Sequence, residues 1–579
     1  MPIDMKSLMI GMTIPNWNVA KTGAAPADAP WTPPADWINI DNVIDGNINL
    51  LVADSGLATY AFICTTSIGT YHVDWGDGTS NDYNSATKAQ KTYTVGTGQA
   101  CSRGYTTFKI VISPNTGNLT RFYVQDHTLA AIHQGQHYLD CVWGARAVTS
   151  MANAFHDATG IFVYCRVLER FKHVGVQTEI SISASYMFYY CYSLQSVDVS
   201  GMTAVINATS MFCYCYNLRS VNASGLTAVT TATTMFYYCY SLQSVDVSGM
   251  TAVINATYMF CYCHSLRSVN ASGLAAVTDA SGMFGYCYSL QSVNLSGMTA
   301  VTNATNMFNG CSALQSVDVS SMTAVKTATT MFNRCTSLQN VDVSSMTAVT
   351  NASSMFCYCY SLQSVNASGL AAVTDASGMF YCCYSLQSVN LSGMTAVTTA
   401  SSMFSDCYNL HRIDISGMAA VTNATYMFYC CSSLQSVNAS GMSAVTDATY
   451  MFYNCYSLQV LASTNFGFYA VGVGCSSMFY CCEQLTSINL PKAKMTSLGA
   501  TGSAGRPNKL ATLTYHPSSP FSGLSPQIDI SYCTLTAAQL NTIFTDLPTM
   551  AKTIKITGCT GAATCDKTIA TAKGWTVTG

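Results

Sequence analysis

Met187-Phe-Tyr-Tyr-Cys-Tyr-Ser-Leu-Gln-Ser-Val-Asp-Val-Ser-Gly-Met-Thr-Ala-Val-Ile-Asn-Ala-Thr-Ser210 is one turn of a phrase that fills the middle of the chain. Met-Phe pairs open at Met187, Met211, Met235, Met259, Met283, Met307, Met331, Met355, Met379, Met403, Met427 and Met451, every step being 24 residues. A thirteenth pair, Met478-Phe479, follows a small insertion around Phe466–Gly474. A fixed period of this length marks a solenoid and outranks local propensity. One coil offers too little apolar surface to offset the entropy of ordering its residues, so the coils must stack and both ends of the stack must be capped.

Within a coil, Val197 and Val199 alternate with Ser196, Asp198 and Ser200, the period of a short strand with valines inward. Ser200-Gly201 turns the chain. Val205, Ala208, Met211/Phe212, Cys215 and Leu218 then recur every three or four residues, the spacing of one helical face. The expected coil is therefore strand, turn, then helix or helical turn, with the strands stacked in parallel.

Leu194-x-x-Val197-x-Val199-x-x-Met202 and Met-Phe-x-x-Cys-x-x-Leu together resemble the BspA-like leucine-rich repeat family. The resemblance implies an α/β leucine-rich-repeat solenoid over 181–490. It says little of a ligand, because that family includes bacterial surface adhesins and bacteriophage fibre proteins.

The flanks differ. Residues 1–35, with Trp17, Trp31 and a Pro/Ala-rich run, read as an N-terminal anchor or linker. Residues 36–115 read as all-β, and Val73-Asp-Trp-Gly-Asp-Gly-Thr79 resembles the signature of the PKD-like β-sandwich. Asp74, Asp77 and Asp82 there are read first as turn formers. Residues 116–180 read as an N-terminal cap of degenerate coils, Val148–Phe155 echoing the repeat and Arg166, Glu169, Arg170 and Lys172 supplying charge. Residues 491–579 read as a linker and capping unit: a strand at Ile528–Ser531, helices at Thr536–Leu547 and Asp566–Lys573, and strands at Lys552–Gly558 and Trp575–Val577. Pro34-Ala-Asp-Trp37, the Trp-Gly-Asp-Gly-Thr unit, the repeats and the ending Gly558–Val577 together resemble repeat-bearing phage tail-fibre proteins.

Composition excludes several classes. Charged residues make up only 9% of 579, with a net charge of −3, so no basic face exists for nucleic acid. No apolar run is long enough to span a membrane. Leu8-Met9-Ile10 is too short for the apolar core of a secretory signal, which predicts assembly in a cytoplasm; residence on a virion is what the tail-fibre resemblance implies. No nucleophile, paired-carboxylate or phosphate-loop arrangement appears, and no enzyme, cofactor or metal site is expected. His133-x-x-x-His137 with Asp140 and Cys141 is the one metal-like cluster, and nothing places it on a common face.

Of 27 cysteines, thirteen recur at one position of the coil: Cys191, Cys215, Cys239, Cys263, Cys287, Cys311, Cys335, Cys359, Cys383, Cys407, Cys431, Cys455 and Cys482. At a coil step of about 4.8 Å they form an internal ladder of small soft core residues, poorly disposed for disulfides. Cys559 and Cys565 are expected to be reduced.

Two surface features are candidate binding elements. The strand face presents Ser196, Asp198 and Ser200, with Asn222, Asp246, Asn270, Asn294, Asp318, Asp342, Asn366, Asn390, Asp414 and Asn438 at the Asp198 position of later coils. Mixing Asp with Asn there relieves like-charge stacking. A tyrosine stripe (Tyr190, Tyr192, Tyr214, Tyr216, Tyr238, Tyr240, Tyr262, Tyr286, Tyr288) either offers rings to sugars and proteins or packs ring on ring. The expected role is non-enzymatic attachment by a phage tail fibre or similar projection. Its partners would be other virion proteins through the N-terminal segment and a host-surface glycan or protein, with a homo-oligomer open. A bacterial surface adhesin and a purely architectural virion protein are the alternatives.

Overall fold

A computed structural model describes residues 31–54, 59–124, 138–145, 161–176, 182–461, 471–490, 494–495, 498–501, 508–515 and 528–579. The anchor segment before Trp31, the His133/His137 pair and the Val148–Phe155 echo lie outside the described residues.

The N-terminal unit is all-β. Strands β1 (Ile48–Asp54), β2 (Thr59–Thr66), β3 (Thr70–Asp74), β4 (Ser80–Asn84), β5 (Lys88–Thr92), β6 (Gln99–Ala100), β7 (Thr106–Pro114), β8 (Leu119–Tyr123) and β9 (Tyr138–Trp143) build two sheets. One sheet runs β9-β1-β7-β3-β4 with β6 on β7, and the other is β5-β2-β8. Inward residues of both, including Leu50, Phe62, Trp75, Ile110 and Phe122, share one core. Strand β8 falls in the stretch expected to hold degenerate coils, but it pairs with β2 and so belongs to this unit. Its Phe122 is a core side chain of the sandwich, which outweighs the faint likeness to a coil.

All seven residues of β1 are buried because both of its faces are covered. Leu51 and Ala53 point away from the sandwich core and pack with Trp37, Ile40, Tyr105, Leu139 and Val142. The Arg103 guanidinium lies 5.1 Å from the Trp37 ring centre.

The sandwich does not end where the solenoid begins. Strand β10 (Arg170–His173) lies parallel to β9, and the first coil strand, Ser196–Asp198, lies parallel to β10. One sheet thus passes from antiparallel sandwich to parallel array. The aromatic core is continuous too, Trp143 and Phe171 meeting Phe162, on which Phe188 stacks.

In the array, most coils contribute a three-residue strand, such as Ser244–Asp246, Ser268–Asn270 and Ser292–Asn294 in matched register. A second column of parallel bridges runs Asn207, Thr231, Asn255, Asp279, Asn303 and onward to Gly474. The expected helix is absent: the chain from Ala208 to Leu218 is a run of tight turns. The reason lies in the backbone. Tyr186 and Tyr190, Ser210 and Tyr214, and Thr234 and Tyr238 all have φ between +53° and +63°, so each turn is broken before it propagates. Met211, Cys213 and Cys215 N–H groups close turns onto Ala208, Ser210 and Phe212 carbonyls at 3.1 Å. The intervening Ala208, Ser210, Phe212 and Tyr214 N–H groups donate instead to Thr231, Thr233, Met235 and Tyr237 of the next coil, at 2.8–2.9 Å. A helix would have kept every such bond inside its own coil; here half of them hold the coils together.

Among the described residues, helices occur only near the C-terminus: α1 (Ala537–Asp546) and α2 (Thr568–Thr571). Thr536 and Gln539 form a reciprocal capping box on α1. The second helix is far shorter than expected. Asp566 accepts from Thr568 N–H at its start, and the Thr571–Gly574 turn follows at once. The closing strands Ile528–Asp529, Thr553–Lys555 and Thr576–Thr578 continue the parallel stacking.

Candidate functional site

The Ser-Val-Asp strands place Ser196, Asp198 and their equivalents in straight columns on one face. Two shallow depressions lie on this face. One, of about 430 Å³, is lined by Ser244, Asp246, Ser268, Asn270, Ser292 and Asn294 beside their valines. The other, of about 290 Å³, is lined by Arg412, Ile413, Asp414, Ser436, Val437 and Asn438.

Each Asp or Asn also ends its strand. Asp198 Oδ1 accepts from the Ser200 N–H at 3.0 Å and from its hydroxyl at 2.6 Å, and Asn222 and Asn270 treat Ser224 and Ser272 alike. The serine hydroxyl and N–H of Ser248, Ser320, Ser344 and Ser416 hold Asp246, Asp318, Asp342 and Asp414 below the usual carboxylate range.

The Asp/Asn order has a second consequence that the charge argument missed. Asn amides reach back one coil: Asn294 to Asn270 at 3.3 Å, Asn366 to Asp342 at 3.1 Å, Asn390 to Asn366 at 3.2 Å and Asn438 to Asp414 at 3.1 Å. An aspartate has no proton to donate backwards. The strand ladder is interrupted where an Asp follows: between Asn222 and Asp246, around Asp318, and between Asn390 and Asp414. Ser316–Asp318 forms no strand at all. Between Ser244 and Asn438 each paired segment opens on Asp (Asp246, Asp342, Asp414) and continues with Asn.

All 27 cysteines are free. The ladder is more than filler. Cys215 Sγ donates to the Phe188 carbonyl at 3.1 Å, and the same contact recurs at 3.0–3.2 Å from Cys191 to Cys482. Burial pushes these thiols well above their ordinary pKa and Cys213 and Cys261 up to about 12, so none is a reactive thiolate. No group of three metal-binding side chains exists among the described residues.

In the Trp-Gly-Asp-Gly-Thr turn, Asp77 accepts from the Thr79 N–H and hydroxyl and pairs with Lys91 at 2.6 Å. Asp74 accepts from Gly76 N–H, and Asp82 bonds His72 and Asn115. These aspartates shape a hairpin. Asp140 is buried and bound by the Arg170 guanidinium, which also reaches Asp41.

The tyrosine stripe resolves into two columns. Tyr164, Tyr190, Tyr214, Tyr238, Tyr262 and Tyr286 stack at 4.5–5.1 Å, and Tyr192, Tyr216, Tyr240, His264 and Tyr288 stack at 4.5–5.0 Å. Ring faces are spent on neighbouring rings, and edges are what the surface receives. Tyr164, at one end of the first column, is 41% exposed, and Tyr288, at one end of the second, 45%.

Two family models match the array. The BspA type leucine-rich repeat region matches residues 178–304, 352–459 and 374–502, and a Mycoplasma protein family of unknown function, DUF285, matches 255–368 and 278–393. The chain therefore carries BspA-type leucine-rich repeats. Similar solved structures include a leucine-rich repeat protein from Eubacterium ventriosum, at 15% identity over 56% of this chain and 86% of that one with a TM-score of 0.30. They also include the Toll–Spatzle complex of Drosophila, at 11% identity over 71% of this chain and 57% of that one, TM-score 0.20. A third is the plant peptide hormone receptor RGFR1 with RGF2, at 11% identity over 78% and 82%, TM-score 0.18. No curated protein matches the sequence.

Proposed function

We propose that this chain is a non-enzymatic attachment protein of a tailed phage, a tail fibre or similar projection whose solenoid displays a repeated binding face to the host surface. The observation that carries this reading is the strand face, where hydroxyl, amide and carboxylate groups recur in register with shallow depressions between them. A repeated weak site suits a repetitive partner through avidity. The phage assignment is supported by the sequence resemblance of Pro34–Trp37, the Trp75–Thr79 turn and the closing segment to tail-fibre proteins. The N-terminal segment would join other virion proteins.

Purified protein added before particles should block adsorption to host cells, and gold-labelled antibody should decorate projections on intact particles. Label confined to the infected cell interior, with adsorption unchanged, would reject the reading. Replacing Ser268, Asn270, Ser292 and Asn294 with alanine should weaken blocking without unfolding the array.

A further inference from the structure

Two adjacent coils carry no ring in either tyrosine column. Both tyrosine columns stop at Tyr286 and Tyr288 and resume at Tyr358 and Tyr360. In the two coils between them, the ring positions hold Gly310 and Arg334 in one column and Ser312 and Thr336 in the other. The backbone runs straight through this gap: Tyr286 N–H donates to Asn309, Gly310 N–H to Asn333 at 2.7 Å, and Arg334 N–H to Cys357 at 2.8 Å. The Phe ladder beneath is unbroken, Phe284, Phe308, Phe332 and Phe356 stacking at 5.3–5.5 Å. Four ring positions in two adjacent coils are bare here, over a floor that has not moved, whereas at Cys382, Asp406 and Asn454 the first column alone lacks its ring.

The result is a notch. Tyr288 and Tyr360 face it from either end, three coil steps apart, which is about 14 Å at a step of about 4.8 Å. Removing the middle rings leaves room for two rings of similar thickness. Consistent with uncovered faces, Tyr288 is 45% and Tyr360 39% exposed. The floor is polar and fixed: Ser312 donates to the Tyr288 carbonyl at 3.2 Å and Thr336 to the Ser312 carbonyl at 3.4 Å. Gly310 leaves its position bare, and a Cβ there would sit 2.9 Å from the Tyr286 ring. Arg334 projects into the gap, its guanidinium 5.4 Å from the Tyr358 ring centre, and among the described residues no carboxylate pairs with it. The same coils carry the strand-face interruption around Asp318, so both faces of the array change here together.

We propose that this notch binds an acidic sugar, a pyranose ring seated against Tyr288 or Tyr360 with its carboxylate on Arg334. The C–H face of a pyranose suits an uncovered aromatic face. Its hydroxyls meet Ser312, Thr336, Asn309 and Asn333, and a guanidinium is the side chain best shaped to grip a carboxylate in two places. The inference rests on the attachment reading and adds to it one specific site among many generic ones.

A galacturonic acid trimer and its methyl ester, titrated calorimetrically into the full chain, test it. The acid should bind, the uncharged ester about tenfold or more weakly, and Arg334→Gln should erase that difference. Ser312→Tyr with Thr336→Tyr restores the residue found at this position in most coils; it should fold at least as stably and lose binding altogether. No binding by the native chain, equal binding of acid and ester, or undiminished binding by the filled variant would overturn the assignment. Labelled filled variant should still adhere to host cells through the strand face if the attachment reading holds. Loss of adhesion by the native chain itself sinks that reading separately.

Discussion

Each ladder cysteine does two jobs, filling a small space and donating to a carbonyl of the coil before it. Phe284 O receives both the Cys287 N–H at 3.2 Å and the Cys311 thiol at 3.1 Å, so losing the thiol leaves that carbonyl half-served rather than orphaned. Cys311→Ala is accordingly expected to cost about 1–2 kcal/mol, read as a lower urea midpoint. A thiol reagent on the native protein should label Cys101, Cys430 and Cys565, the three cysteines that are not buried, and the remainder only after unfolding. His173 supplies the pH dependence at this scale. Its ring is 2% exposed at the junction of sandwich and array, Nε2 has no partner, and burial lowers its pKa from 6.5. The unfolded chain therefore binds the proton more readily, and stability that is full above about 6.5 falls as pH drops through that value. Asp140 works the other way, because burial raises its carboxyl to about 6 despite the Arg170 guanidinium. The histidine's share is thus the difference in melting temperature against pH between the native chain and His173→Leu, and identical slopes would refute it.

At the scale of the element, the strand was legible and the helix was not. Inward valines alternating with serine and aspartate admit one reading, and the structure has Val197, Val245 and Val269 buried in matched register. The spacing Val205, Ala208, Met211, Cys215 and Leu218 fits a helix and a chain of turns equally, since both bring every third or fourth side chain inward. What decides between them is positive φ at residues such as Tyr214 and Thr234, which sequence does not announce because tyrosine and threonine avoid it. The tyrosine columns were visible in the sequence, but ring spacing alone left open whether faces point outward or onto each other. The Asp rule was visible only as a mixture of Asp with Asn; its link to sheet interruption needs the direction of the amide bonds. That rule predicts that Asp318→Asn gives residue 318 an amide that can donate back to Asn294, extending by one coil the paired segment that now ends there. Hydrogen exchange should then slow for amides around Val317, and unchanged exchange would show that the interruption has another cause. Strain at positive φ makes a companion prediction: Thr330→Asn, at φ +55°, should stabilise by about 0.5–1 kcal/mol, because Asn accepts this conformation and a β-branched residue does not.

For the whole molecule, a stack of near-identical coils is stabilised by nearest-neighbour contacts, so its ends and its middle respond differently to deletion. Removing 211–258 excises two complete coils and joins Ser210 to Met259 in frame. Ser210 already has positive φ before a Met-Phe pair, so the new junction asks nothing unusual of the backbone. Phe188 would restack on Phe260 and Tyr190 on Tyr262. Asp198 would be followed by Asn270 and Asn294, which removes the interruption now lying between Asn222 and Asp246. The shortened chain should remain soluble and cooperative, with one sheet break fewer in its exchange pattern. Removing 31–145 should behave oppositely. That cut strips β9 from the edge of β10 and uncovers Phe162 and Phe171, leaving an unpaired strand beside an aromatic surface at the start of a parallel sheet. Such an edge recruits other chains. Size-exclusion chromatography should find the internal deletion monodisperse and the capless chain aggregated. A monodisperse capless chain would mean that the first coil closes its own end and that the sandwich is a spacer rather than a cap.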